Sequence, residues 1–272
     1  MIKLAERMKE YEAAECSRRL SPMQPVIARI DGRTFSSFTR GAERPFDRRI
    51  TQAMVETTRH LMVETNACMG YTQSDEITLA WLATDERQQI WFDGRVTKMT
   101  SQLAAHATLR FNRVLESLAP EFSHREPTFD ARVWSVPDRK EGANVFRWRE
   151  WDAIKNSISM AARSQFSTAE LHGKNSRRKK AMLLEKGIDW DDYPLCFKHG
   201  TFFQRRLVTG PFSADELEAL PPKHAARSNP GLCVERTVLN VINLPALASI
   251  KNLEAVVFDG ASPEMKTDVL TK

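Results

Sequence analysis

Cysteine is scarce in this sequence. There are four in 272 residues, Cys16, Cys68, Cys196 and Cys233, and no Cys-x-x-Cys pair. That spacing excludes a zinc site and a disulfide framework and is expected of reduced thiols in a cytoplasmic protein. The six histidines are no better spaced for zinc. No apolar run approaches the roughly 20 residues of a membrane helix. The opening MIKLAERMKEYEAAEC has no apolar core segment, so no secretory signal is expected. Internal repeats and low-complexity tracts are also missing, so a solenoid is excluded. What is present is ordinary for a globular chain, with 42% hydrophobic and 28% charged residues. The length allows one large domain, or one domain with an extension.

The net charge of +5 is mild but uneven. HGKNSRRKK (172–180) holds Lys174, Arg177, Arg178, Lys179 and Lys180. KHGTFFQRR (198–206) adds Lys198, His199, Arg205 and Arg206. Basic stretches interleaved with aromatics suit a phosphate-rich polymer, although a lone charge run is more often a solvated helix face.

Periodicity predicts helices over 2–18, 47–66, 97–118, 149–166 and 176–187, with Asp47 as an N-cap. In 2–18, Leu4, Met8 and Tyr11 share one face. Strands are expected at 25–31, 76–82 and 128–137, and a strand or turn at 88–95. A turn is expected at 189–194, a hairpin at 195–209, and a capped short helix after SADE (213–216). From about 220 the chain reads as irregular, with one strand-like run at 236–244. His60 and His106 read as surface or core residues, and Trp148 and Trp151 as core or interface residues, with base stacking as the alternative for the tryptophans. The element order predicts an α+β domain, an antiparallel sheet with helices on one face. The expected division is a core at 1–140, helices and a hairpin completing it at 141–215, and a C-terminal extension at 216–272.

Two stretches carry the chemistry. In VIARIDGRTF (26–35) an apolar strand runs into Asp31-Gly32. In YTQSDEITL (71–79) Asp75 and Glu76 precede a strand. If the two strands are neighbours, carboxylates meet at one sheet edge, and their repulsion is relieved by a divalent cation. Hard oxygen ligands of this kind suit Mg²⁺ with substrate phosphates. Gly32 lets the backbone approach closely, so its carbonyl is a further candidate ligand. Backbone N–H groups from Arg33 to Phe35 are candidates for a phosphate nest. Arg44, Arg95 and Lys98 are candidate cations near it. Asp-Gly and Ser-Asp-Glu are also common in turns, so spacing alone reaches no further than a palm-like nucleotide site.

At these residues the chain resembles the tRNA-histidine guanylyltransferase family. RIDGRTF (29–35), RPFD (44–47), QSDE (73–76), FDARV (129–133) and WREWDAIKNS (148–157) fall in the family's order, and the likeness covers roughly residues 5–205. It implies a polymerase-like palm and addition of nucleotides to the 5′ end of tRNA. By this resemblance Asp31, Gly32 and Asp75 match metal ligands, and Glu76 matches an acidic neighbour. Asp31 through Ser36 (with Thr34 and Phe35), Ser74 and Asp75 match a triphosphate site, with Arg44, Arg95 and Lys98 as basic partners. Asp152 and Asn156 match a later motif. Where eukaryotic members read His-Ile-Asn-Asn, this chain has Ile154-Lys155-Asn156-Ser157. It is therefore more similar to the guanylyltransferase-like branch, which prefers templated 3′–5′ addition and repairs 5′-truncated tRNA.

The resemblance implies Mg²⁺ as cofactor, ATP and GTP or other nucleoside triphosphates as substrates, tRNA as partner and a homotetramer. Lys155, Asn156, Lys174, Arg177, Arg178, Lys179, Lys180 and Arg205 are the expected RNA contacts. The alternatives are guanylate addition to histidine tRNA, a palm-type nucleotide cyclase, and a non-catalytic tRNA-binding module.

Overall fold

The computed structural model describes residues 3–229 and 231–266. The strands are β1 (Val26–Gly32), β2 (Met69–Gln73), β3 (Glu76–Trp81), β4 (Phe129–Ser135), β5 (Thr201–Pro211) and β6 (Cys233–Ile242). They form one antiparallel sheet in the order β4-β1-β3-β2-β5-β6. The helices are α1 (Leu4–Cys16), α2 (Phe35–Phe38), α3 (Arg48–Thr65), α4 (Val96–Leu118), α5 (Pro120–Ser123), α6 (Arg139–Arg163), α7 (Thr168–Leu171), α8 (Ser176–Glu185), α9 (Leu195–Lys198), α10 (Ala214–Ala219) and α11 (Leu253–Phe258). Among the described residues no helix is long and apolar enough to cross a membrane.

Strand alternation sends side chains to both faces, and both faces are covered. Val26, Ala28 and Ile30 of β1 join Ile77, Leu79 and Trp81 of β3 against α3 and α4, through Met54, Leu61, Leu103 and Phe111. Ile27, Met69, Tyr71, Ala80 and Phe202 point the other way, against Phe146 and Ala153 of α6 and Val256 and Val257 of α11. The expectation of helices on one face is thereby corrected. The run VIARI, apolar at successive positions, is that of a strand buried on both sides.

Asp47 caps α3 as expected, its Oδ1 accepting the Arg49 N–H at 2.9 Å. The capping box at Ser213 and Glu216 opens α10. Other elements differ from the sequence reading. α6 starts ten residues early, at Arg139, with Asp138 accepting the Glu141 N–H at 2.8 Å. Gly142, inside this early part of the helix, is the contact surface for Phe258: a Cβ there would lie 2.6 Å from that ring. Residues 88–95 form a 3-10 turn, Trp91–Gly94.

The expected hairpin at 195–209 is the one-turn α9, a left-handed Gly200 and then the single strand β5. β5 pairs with β2 on one side and, on the other, with β6, more than twenty residues further on. The stretch read as a C-terminal extension supplies β6 to the sheet and packs α11 on α6. The buried Gln204 amide fixes it, donating to the Val256 and Ala261 carbonyls at 2.6 and 2.9 Å. The buried Glu150 carboxylate adds a second tie, accepting the Leu247 N–H at 2.9 Å.

Candidate active site

β1 and β3 are neighbours, and their register pairs Asp31 with Glu76. Asp75 sits in the two-residue turn between β2 and β3, after Ser74 in the left-handed region. The Gly32 N–H donates to the Asp75 carbonyl at 3.0 Å, locking strand end to turn. A Cβ on Gly32 would lie 2.6 Å from the Phe35 ring and 3.1 Å from the Asp75 Cβ, so the position admits only glycine without a shift. Burial pushes the Asp75 carboxyl above its ordinary range, and the nearby Asp31 charge pushes the same way. A cation relieves both effects. Among the described residues no group of three or more His, Cys, Asp or Glu side chains is arranged to hold a metal. Two aspartates are too few for an all-protein cage. They fit a Mg²⁺ ion that completes its shell with water and phosphate oxygens.

Glu76 is placed differently. Its Oε1 lies 2.8 Å from Arg149 Nε, and its Oε2 lies 3.2 Å from Arg149 Nη2 and 2.8 Å from Arg29 Nη2. Arg149 also donates to Asp152 at 2.9 Å, and Arg29 reaches Asp31 at 3.5 Å. Burial pushes the Glu76 carboxyl up, while the two guanidinium groups pull it down. Arg29 and Arg149 are site residues that sequence reasoning missed. Both lie inside motifs already singled out, RIDGRTF and WREWDAIKNS. Their signal was a buried acid in need of a cation.

A cleft of about 290 Å³ opens beside the carboxylates, lined by Phe35, Ser36, Arg44, Phe46, Ser74, Asp75 and Arg163 among others. That is near the lower end for small-molecule sites. The Phe46 ring stacks on Phe197 at 4.5 Å. The expected N–H nest is shorter than predicted, because Arg33 donates its N–H to the Thr128 carbonyl at 2.8 Å. Thr34 is left-handed and precedes α2, whose first N–H groups, on Phe35 and Ser36, have no intrahelical partner.

Arg95 and Lys98 are not brought to this site within one chain. The Phe111 ring of α4 packs on Phe35 and Phe129 near the carboxylates, at 5.9 and 5.3 Å. Arg95 precedes it by sixteen residues, roughly 24 Å along the helix axis. There it bridges to Arg19, at the opposite end of the sheet. Arg205 is also elsewhere: it donates to the Ala67 and Met62 carbonyls at 3.1 and 2.5 Å, beyond the end of α3. These donors hold backbone, which corrects its reading as an RNA contact.

Lys155 and Asn156 are exposed on α6, and Lys155 lies 4.0 Å from Asp152. α8 packs beside α6 through Leu183, Ile158 and Ala161. On it Arg178 pairs with Glu185 at 3.1 Å, Lys180 with Asp191 at 2.9 Å, and Lys179 donates to Ser159 at 3.0 Å. Lys174 and Arg177 are exposed and make no ion pair among the described residues. Trp148 and Trp151, expected in the core or an interface, are 46% and 49% exposed, which excludes the core. The Arg149 guanidinium covers one face of Trp148 at 4.2 Å. His60 and His106 stand 5.8 Å apart, ring to ring.

The first 137 residues match, from residue 5 on, the family model described as Thg1, tRNAHis guanylyltransferase. A bacterial tRNA(His) guanylyltransferase (Thg1)-like protein in complex with ATP is 36% identical, with a TM-score of 0.70. The match covers 75% of this chain and 87% of that one. A structure of a bacterial Thg1-like protein in complex with GTP is 29% identical with a TM-score of 0.66 over 90% and 93% of the two chains. The tRNA(His) guanylyltransferase of Schizosaccharomyces pombe is 28% identical over 219 residues, 75% of this chain and 80% of its own. By class this is a guanylyltransferase-like nucleotidyltransferase. The chain belongs to the tRNAHis guanylyltransferase (Thg1) family.

Proposed function

We propose that the protein is a Mg²⁺-dependent enzyme that extends the 5′ end of tRNA in the 3′–5′ direction, using the opposing strand as template to repair 5′-truncated tRNA. The observation that carries this reading is the meeting of Asp31 and Asp75 across Gly32, at the mouth of a cleft. The bacterial relatives solved with ATP and GTP support nucleoside triphosphates as substrates. The departure at Ile154-Lys155-Asn156-Ser157 favours templated addition over guanylate addition to histidine tRNA.

In this reading the 5′-phosphate of the RNA first attacks the α-phosphorus of ATP or GTP and displaces pyrophosphate. The 3′-hydroxyl of the incoming nucleotide then attacks the activated 5′-phosphorus, loses its proton and displaces the nucleoside monophosphate. Asp31, Asp75 and the Gly32 carbonyl would hold Mg²⁺, which would supply charge neutralisation at the phosphates. Ser74, Ser36 and the N–H groups of Phe35 and Ser36 orient the triphosphate, and Arg44 adds positive charge. Positioning and electrostatics carry the rate, with no protein nucleophile. Lys155, Asn156, Lys174, Arg177 and Arg178 line a path for the RNA, and the open face of Trp148 offers a stacking surface. Assembly into a homotetramer belongs to the proposal. Leu4, Met8 and Tyr11 stand exposed on α1 for a second copy to cover. Arg95 and Lys98 would meet a triphosphate only across such a contact.

The test uses a tRNA transcript lacking its first nucleotide and carrying a 5′-monophosphate, with Mg²⁺, ATP and each nucleotide in turn. One-step growth only with the nucleotide complementary to the opposing base is expected. Growth with GTP whatever the opposing base would return the assignment to histidine-tRNA guanylylation. No growth in any lane would overturn the polymerase reading. Asp31→Ala and Asp75→Ala should each abolish growth with the circular dichroism spectrum unchanged.

A further inference from the structure

Three carboxylates meet at the β1 end and the β2–β3 turn, yet they are not equally free. Glu76 lies 2.8 to 3.2 Å from three guanidinium nitrogens, two of Arg149 and one of Arg29, with Arg149 Nη2 donating a hydrogen bond to it. Its two oxygens are thereby engaged from both sides. Asp31 is held only by the long 3.5 Å contact to Arg29, and Asp75 has no arginine partner among the described residues. Arg149 is 95% buried and tied to Glu76 and Asp152, so its position is fixed. Arg29 is the less buried of the two, its side chain 22% exposed. Its Nη2 lies within reach of Glu76 and Asp31 at once, two residues before Asp31 on the same sheet face.

We infer that Arg29 is a positioning residue that keeps Glu76 out of the metal shell and weakens the binding of free divalent cations at Asp31 and Asp75. The inference rests on the reading of those aspartates as metal ligands. A guanidinium stays charged at every working pH. It places a fixed positive charge 2.8 Å from Glu76 and 3.5 Å from Asp31. A cation that captures Asp31 must do so against that charge. The negative charges of a bound triphosphate offset it. The site therefore fills when metal and triphosphate arrive together, and stays open to exchange when they leave. At about 6 Å separation, Coulomb's law in bulk water makes the repulsion between a guanidinium and a divalent ion worth roughly tenfold in affinity.

The experiment titrates Mn²⁺ alone, without nucleotide or RNA, and reads free Mn²⁺ by electron paramagnetic resonance. Wild type, Arg29→Met, Arg29→Gln, Arg29→Lys and Asp31→Asn are compared. Both neutral variants should bind Mn²⁺ about tenfold more tightly than wild type, and Arg29→Lys should stay within about twofold of it. If Arg29→Met does not fold, as judged by circular dichroism, Arg29→Gln decides. An arginine that merely supports the local structure would give the opposite sign, because its loss would disorder Asp31. Unchanged or weaker Mn²⁺ binding in the folded neutral variants, while Asp31→Asn loses binding, overturns the role of Arg29 and leaves the metal reading standing. No Mn²⁺ binding by any variant overturns both.

Discussion

Removing the Glu76 side chain should destabilise the protein through the arginines it leaves behind. Arg149 is buried, its Nη2 donates to Glu76 Oε2, and its Nε lies 2.8 Å from Oε1 as an ion pair. Breaking a buried ion pair by deleting one partner costs about 3–5 kcal/mol. Arg149 keeps Asp152 at 2.9 Å, which places Glu76→Ala near the lower end, about 3 kcal/mol. For a chain of this size that is a fall in Tm of roughly 6–12 °C. Burial holds the Glu76 carboxyl above its ordinary range, so the carboxylate itself gains little from being charged there. The loss therefore lies in the orphaned guanidinium groups. Two consequences separate this account from a simple packing loss. Glu76→Gln, which keeps an acceptor of the same shape, should cost less than half as much as Glu76→Ala. In a double-mutant cycle with Arg149→Ala, the paired variant should be about 2 kcal/mol more stable than the sum of the single losses. Urea unfolding followed by circular dichroism measures all four corners. Losses that add to within about 0.5 kcal/mol would refute the reasoning.

Asp75 gives a prediction in pH. Its carboxyl titrates higher in the folded chain than in the unfolded one, so the metal-free protein loses stability as pH rises from about 4 through the raised value. Asp75→Asn should match wild type near pH 4 and exceed its Tm at pH 7 without metal. Equal melting at both pH values would remove burial and the Asp31 charge as the cause. Gly32→Ala should cost about 1–3 kcal/mol, since the new methyl meets the Phe35 ring and the Asp75 Cβ. It should also lower nucleotide addition, and an active variant of wild-type stability would contradict the cradle. Lys174→Ala and Arg177→Ala should each weaken tRNA binding and reduce the slope of log affinity against log salt by about one. Binding of GTP should be unchanged, and a salt slope equal to wild type would take α8 off the RNA path.

The carboxylate pair was legible because its signals are local. An apolar strand ending in Asp-Gly and a turn carrying Ser-Asp-Glu each announce themselves within a few residues. Their adjacency needed only a neighbouring register, which β1 and β3 supply. Glu76 was legible as an acid but not as half of an ion pair, because Arg149 lies 73 residues away. Positive charge was the least transferable signal. Arg205 sits in a basic, aromatic stretch, yet its donors hold the Ala67 and Met62 carbonyls. Arg95 and Lys98 head a helix whose other half reaches the site, and sequence does not tell which half. The early start of α6 was hidden by Gly142, whose missing side chain is a packing surface for Phe258.

Helix α6 carries Arg149 to Glu76 on one side and Glu150 to the Leu247 N–H on the other. Successive residues of one helix thus bind the carboxylate-bearing strands and a segment nearly a hundred residues further on. This has a meaning for synthesis. The aspartates are made early, but the helix that supports their neighbour lacks its backing until residues 244–261 emerge. A ribosome adding about 5–20 residues per second separates those events by roughly ten to forty seconds. In that interval the aspartates already exist, while Glu150 is a carboxylate without its backbone donor. The order of translation therefore delays completion of the site, and an interrupted chain carries the acidic motif on an unfinished support.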